Sequence, residues 1–341
     1  MTNKRLEWID TCKGLGIFLV VFGHVFQGHD ANTFIYSFHM PLFFFISGFL
    51  FKVKENSFKP FFKKKFRTII IPYLSFAIIS YLYWVFLERH FRQHDLMISI
   101  YEPLVGIFYG NGNNNWMQPN IPLWFLTCLF AIEMIYYLII KTVKRKFFIP
   151  LVVLLCIALS VVNGFYFTYY LPLGLEAALG SLVFFGAGHF LKSNVSFLNV
   201  MNLENKFKLT ICCLIFLLLN ILLAFYNGLV DVRQSVFQNF YIYYIAAFCG
   251  LLSIVMLAKL INPNRVLSYF GTNSLTILCI HEPIKRIVIK TLSVVLEIDI
   301  TILRSTLLGG ILTGIVVAIA LVPFIILINK YFYFLLGRLA K

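Results

Sequence analysis

Charge is scarce in this 341-residue chain: Asp, Glu, Lys and Arg make up 13% of it, about half the share of an ordinary soluble domain, which is about 25%. Acid is scarcer still, with 14 Asp and Glu against 29 Lys and Arg. So apolar a composition excludes a disordered chain and a soluble nucleic-acid module. None of the seven cysteines stands in a CxxC pair, and all seven (12, 128, 156, 212, 213, 249 and 279) fall in apolar stretches. They read as small apolar fillers, not as a zinc site or a secreted disulfide framework. A GxSxG elbow is missing, and with it the sequence sign of a serine acyl-enzyme. Walker and Rossmann glycine motifs are missing too. The apolar stretches are long and unbroken, unlike the alternating segments of about ten residues in a membrane β-barrel.

What the chain does contain is hydrocarbon. Hydrophobic residues are 60% of it, Phe alone supplies 38, and the mean hydropathy is +0.86. A soluble fold could not keep that much apolar surface from water. A membrane-spanning helix needs about 20 mostly apolar residues. Segments of that kind lie at 8–28, 34–51, 68–88, 122–140, 147–163, 171–191, 208–226, 240–259, 266–287 and 304–329. The expectation is an all-α integral membrane protein, a bundle of about ten transmembrane helices. It reads as one domain over residues 1–341, with no repeat and no appended soluble part. The first segment opens with Trp8 and Asp10 and has no small-residue cleavage site after it, so it reads as a retained helix.

Positive residues concentrate in alternate loops, which places both termini in the cytoplasm. The 52–67 loop carries Lys52, Lys54, Lys59, Lys63, Lys64, Lys65 and Arg67, and the 141–146 loop carries Lys141, Lys144, Arg145 and Lys146. Arg89, Arg92, Arg233, Lys285, Arg286, Lys290 and Arg304 fall on the outer side instead. The cluster near residue 285 is the exception that a misdrawn ninth helix would leave. The longest outer segment, 89–121, contains NGNNNW from Asn111 to Trp116 and prolines 103, 119 and 122. It reads as a polar loop and a candidate lid over a substrate, or as a solvated connector.

Ionisable groups inside a span are functional candidates by default. The first segment holds Asp10, Lys13 and His24. Lys13 and His24 are about three helical turns apart, on one face and roughly 16 Å along the axis, and Asp10 is spaced to pair with Lys13. The second segment begins SFHMP, with Ser37 and His39. The ninth reads GTNSLTILCIHEP, with Asn273, Ser274, His281 and Glu282. Topology then brings three histidines from three helices into the outer half of the membrane. No HxH or ExxH spacing supports a metal there. Histidine is the side chain that suits activation of a hydroxyl near neutral pH. Glu133 and Glu176 are acids within spans for which structural pairing is the simpler reading.

These residues also carry a resemblance. WIDTCKGLGIFLVVFGH followed by FIYSFHMPLFFFISGFLFK is similar to the N-terminal signature of the acyltransferase-3 family, the polytopic O-acetyltransferases of bacterial surface carbohydrates. KKKFRTIIIPY, PLWFL and GTNSLTILCIHEP extend the similarity along essentially the whole chain. The family's basic residue eleven before the histidine is usually Arg. Here it is Lys13, as in the subgroup resembling fucose acetylases, and a lysine offers a point charge where arginine offers a bidentate fork.

The resemblance implies a multi-pass protein of the bacterial cytoplasmic membrane that takes an acetyl group from cytoplasmic acetyl-CoA to a hydroxyl of a surface or lipid-linked carbohydrate. It implies that Lys63, Lys64, Lys65 and Arg67, with Tyr73 beside them, meet the CoA phosphates, and that Lys13 steadies a phosphate or the pantetheine arm. His24 is then the general base or a transient acyl carrier. Asn273, Ser274 or Ser37 would face the oxyanion, and His39, His281 and Glu282 would orient the acceptor or the base. Trp124 would stack on a sugar ring or sit in the interfacial belt. Acetyl-CoA is expected as co-substrate, without a metal, and the other partners are the acceptor glycan and the bilayer, not nucleic acid. A secondary transporter or flippase for a lipid-linked sugar would also use membrane histidines and lysines. Such carriers often have related halves, and no internal symmetry is found here.

Overall fold

The computed structural model describes residues 6–53, 57–143, 149–167, 169–193 and 205–339. Lys4, Arg5, Lys54, Lys144, Arg145, Lys146 and Lys341, which entered the charge count, lie outside the described residues. Among those described there is no β-strand, only an isolated bridge between Asp231 and Val236. In hydrocarbon a backbone must satisfy its own hydrogen bonds, and helices do so within one segment.

The helices are α1 (Glu7–Val25), α2 (Asp30–Tyr36), α3 (His39–Leu50), α4 (Phe58–Lys65), α5 (Ile71–Phe86), α6 (Gln93–Leu96), α7 (Tyr101–Tyr109), α8 (Trp124–Thr142) and α9 (Ile149–Val162). They continue with α10 (Leu175–Ser193), α11 (Lys206–Asn227), α12 (Phe240–Leu260), α13 (Arg265–Thr272), α14 (Ser274–Leu296), α15 (Ile300–Ser305) and α16 (Leu307–Tyr331). Nine helical stretches among the described residues are long and apolar enough to cross a membrane. α14 is long enough as well, with 23 residues, but carries Glu282, Lys285, Arg286 and Lys290.

The ninth expected segment therefore needs correction. It is not one helix over 266–287 but the short α13, a break at Asn273, and α14 running on to Leu296. Lys285 and Arg286, expected at the end of the ninth segment, consequently sit near the middle of a helix that runs on to Leu296, which accounts for the exception in the charge count. The 89–121 segment is corrected too. It contains α6 and α7, and Asn111, Asn113 and Asn120 are buried, so it is a folded part of the bundle and not a solvated loop.

α1 is the central helix, packed against α3, α12, α13, α14 and α16. Small residues permit the closest crossings, as is usual between membrane helices. A side chain at Gly14 would overlap the Leu267 carbonyl on α13, and one at Gly271 would overlap the Asp10 carbonyl on α1. α3 and α10 meet in the same way at Gly48 and Gly188. α9 and α11 lie at the periphery, and α8 is the most enclosed span.

One end of the bundle gathers the start of α1, the ends of α3, α12 and α16, and many cations. Trp8 packs on Phe49 with Lys259 over its ring, Lys192 lies over Phe49, and Lys65 lies over Phe51 and Phe61. This is called the basic end below. The opposite end carries the three histidines.

Pro283 lies inside α14 and has no N–H for the carbonyl of Cys279. The Asn120 amide donates to that carbonyl instead, at 2.8 Å. A loop residue thus completes the backbone bonding of a distant helix.

The glycine contacts give a paired expectation. Gly188→Ala pushes a methyl into the Phe45 carbonyl, whereas Gly186→Ala on the same helix meets only the Tyr136 ring at 3.5 Å. Overpacking costs about 1–3 kcal/mol. The first variant is expected to lower the thermal unfolding midpoint in detergent by several degrees and the second to leave it nearly unchanged.

Candidate active site

The site is built on the last turn of α1. The final carbonyls of a helix have no partner within it. Here the last three are met by side chains. The Gly23 carbonyl accepts from Asn32 at 2.8 Å and from the Tyr36 hydroxyl at 3.1 Å. The His24 carbonyl accepts from Lys285 at 3.2 Å and Arg304 at 3.4 Å, and the Val25 carbonyl accepts from Arg304 at 3.0 Å. Cations at a helix C-terminus also oppose its partial negative charge. His24 is thereby held in a fixed backbone.

Three further rings gather at this turn. His281 lies 5.2 Å from His24 between ring centroids, Tyr36 lies 6.4 Å from His24, and His39 lies 5.0 Å from Tyr36. The His281 Nδ1 stands 3.0 Å from both the Ile277 and Leu278 carbonyls, and the His39 Nδ1 stands 2.8 Å from the Ile35 carbonyl. A nitrogen facing carbonyl oxygens carries the proton, so in the neutral rings each Nε2 is an acceptor. The His281 Nε2 is buried with no hydrogen-bond partner among the described residues.

A cavity of about 290 Å³ opens beside these rings. His24, Tyr36, His39, Trp124, Asp231, Arg233 and Glu282 line it. Asp231 and Arg233 come from the hairpin between α11 and α12, where they pair at 2.9 Å. Arg233 also donates to the Gly112 carbonyl, and Asn113 donates to the Arg233 carbonyl, which ties the hairpin to the asparagine-rich segment. A second cavity, of about 180 Å³, lies toward the basic end and is lined by Lys13, Ile17, Val20, Phe125, Ser274 and Leu278, with Thr68 and Ile69 from the wide turn Phe66–Ile70. α1 thus presents 13, 17 and 20 to one cavity and 24 to the other, a single helical stripe.

A family model described as an acyltransferase domain matches residues 6–334. The chain belongs to the acyltransferase-3 family. No curated protein and no solved structure matches it. The protein is a multi-pass membrane acyltransferase, and its expected site residues can be placed within it one by one.

In this acyltransferase His24, His39, Trp124 and Glu282 share the cavity at the histidine end, with His281 beside His24. Lys13 and Ser274 share the cavity toward the basic end. Lys64 and Arg67 are exposed at the basic end. Asp10 lies where α13 crosses α1, its carbonyl against Gly271. Four expectations need correction. Asn273 is not with the histidines: it sits at the break before α14, donates to the Tyr269 carbonyl at 2.8 Å and accepts from Asn329 at 2.7 Å. Ser37 is buried, donating to the Phe34 carbonyl and accepting from Asn220. Tyr73 is buried and donates to the Ile107 carbonyl at 2.7 Å. Lys65 is paired with Glu133 at 2.8 Å, not presented to solvent for a phosphate. A polar group in an apolar span takes the nearest partner, and that is often a backbone carbonyl. Glu176 accepts from Asn111 at 2.7 Å and from the Leu171 N–H at 3.0 Å.

Sequence reasoning missed Tyr36, Asp231, Arg233 and the cations that hold α1. Three of the cations expected outside share one network. Lys285 pairs with Glu282 at 2.7 Å, and Arg286 with Glu282 and Glu88 at 2.9 Å each. Arg92 pairs with Asp95 and Glu88. Removing one member of a buried ion pair strands the other and costs about 3–5 kcal/mol. Glu282→Gln is therefore expected to destabilise the acyltransferase strongly in detergent unfolding, and Glu282→Gln combined with Lys285→Met to recover part of the loss.

Proposed function

We infer that the protein moves an acetyl group from acetyl-CoA, bound from the basic end, to a carbohydrate hydroxyl held at the histidine end. The observation that carries this reading is the α1 stripe that lines two cavities in line, Lys13 in the inner and His24 in the outer. Their separation of roughly 16 Å along the axis matches the scale of an extended pantetheine arm. With the basic end in the cytoplasm, Lys63, Lys64 and Arg67 are exposed where the CoA phosphates arrive. Lys13 steadies the upper arm, and the apolar wall of Ile17, Val20 and Leu278 encloses it.

His24 then takes the proton of the acceptor hydroxyl as its oxygen attacks the thioester carbonyl. The tetrahedral intermediate collapses, the C–S bond breaks, and the imidazolium returns the proton to the CoA sulfur. The same ring could instead carry the acetyl group between two such steps. Trp124 and Asp231 in the outer cavity suit a sugar, one as an apolar platform and the other as an acceptor for its hydroxyls. The acceptor class, a cell-surface or lipid-linked glycan, and the bacterial cytoplasmic membrane follow from the resemblance in sequence.

The test uses protein in nanodiscs with radiolabelled acetyl-CoA, together with cells lacking the gene. Complementation by the wild-type gene is expected to restore O-acetyl groups to the surface glycan, read by mass spectrometry. His24→Ala is expected to lower transfer by about 10²–10⁴-fold, the usual contribution of a positioned base, while CoA binding and membrane insertion persist. Lys13→Ala is expected to weaken CoA binding more than it slows turnover of bound donor. Wild-type acetylation by the His24→Ala variant would refute the mechanism.

A further inference from the structure

Met40 is common to the linings of the two cavities. It follows His39 at the start of α3 and is itself 7% exposed. On the inner side it faces the space bordered by Val20, and on the outer side the space bordered by His24. Those two α1 residues are one turn apart, roughly 6 Å along the axis. α8 and α14 show the same division: Phe125 and Leu278 line the inner cavity, Trp124 and Glu282 the outer. The boundary between the cavities therefore falls at the level of Met40 on each of the surrounding helices.

The residue type suits a movable boundary. A methionine side chain is unbranched, with three rotatable bonds, and adapts to irregular space without backbone movement. Further along α3, the glycine crossings with α10 at Phe45 and Gly48 fix the helix that carries it. We propose that the Met40 side chain is the partition between the donor and acceptor cavities, and that the space it leaves beside His24 sets the length of acyl group the protein transfers. The second part rests on the donor reading above; the first does not.

Two measurements separate them. Ser47 lines the inner cavity only. In sealed vesicles of each orientation, Ser47→Cys is treated with a membrane-impermeant sulfonatoethyl methanethiosulfonate, with the parent chain as the control for native cysteines. With Met40 in place, labelling is expected from the basic side alone. With Met40→Ala added, labelling from the histidine side is expected to rise by about an order of magnitude. Two-sided labelling in the presence of Met40, or one-sided labelling after its removal, overturns the partition. This readout needs no acyl transfer.

The second measurement follows CoA release from acetyl-, butyryl- and hexanoyl-CoA with water as the acceptor, in which the C–S bond breaks and the free carboxylic acid forms. Met40→Ala is expected to raise the butyryl-to-acetyl ratio by about an order of magnitude, and Met40→Leu to leave it near the wild-type value. Met40→Phe is expected to suppress release while CoA affinity is retained. An unchanged chain-length profile in all three variants overturns the selectivity role. Absence of CoA binding and release in the wild type would instead refute the donor reading, with the partition still decided by the labelling.

Discussion

The carbonyl end of α1 must be satisfied inside the bundle, and the rest of the site follows from how that is done. Lys285 and Arg304 supply donors to the His24 and Val25 carbonyls, while Asn32 and Tyr36 serve Gly23. Bringing two cations to that place creates a second need, since an uncompensated buried charge is expensive. Glu282 answers it for Lys285, and shares Arg286 with Glu88. The outcome is a chain of contacts through α1, α2, α14, α15 and the turn after α5. It fixes His24 by its backbone and leaves the imidazole directed at a cavity.

Around that fixed point the two cavities divide the chemistry. The one toward the basic end is apolar apart from a lysine, two serines and a threonine. The one at the histidine end mixes aromatic rings, imidazoles and an Asp–Arg pair. The α11–α12 hairpin lines it with residues 230–233, and the hairpin is tied to the asparagine-rich stretch through Arg233, Gly112 and Asn113. A side chain at Gly112 would crowd both Trp124 and Arg233, so the glycine in NGNNNW is explained by a close approach.

Much of the fold could be read from the sequence because hydropathy is a local property. The spans and the convergence of His24, His39 and His281 follow from helix length, polarity and short connections. The bounds of the ninth segment differ because its charges are invisible to that logic: Lys285 and Arg286 look like the end of a span until Glu282, Glu88 and the His24 carbonyl are seen beside them. The same blindness works in the opposite direction for Asn273, Ser37 and Tyr73. A polar side chain in an apolar stretch signals function by its type, but its partner can be a carbonyl one turn away, and sequence does not show which. Tyr36, Asp231 and Arg233 belong to the site only through contacts across the bundle. Asp231 and Arg233 carry one weak sign, a charged pair in a short outer loop.

α14 illustrates how such a protein must be assembled. Each ionised side chain near the centre of an isolated span disfavours insertion by roughly 2.5–3.5 kcal/mol, and Glu282, Lys285 and Arg286 all lie in this helix. Pro283 removes one of its backbone bonds as well. Glu282 pairs with both cations inside the helix, and the remaining compensation comes from elsewhere in the chain: Glu88 for Arg286, the His24 carbonyl for Lys285, and Asn120 for the carbonyl that Pro283 leaves open. α14 is therefore a helix whose residence in the bilayer is a tertiary property. By composition the apolar spans suit the bilayer on their own, whereas the segment bearing His281 is held among them by the buried polar network around it.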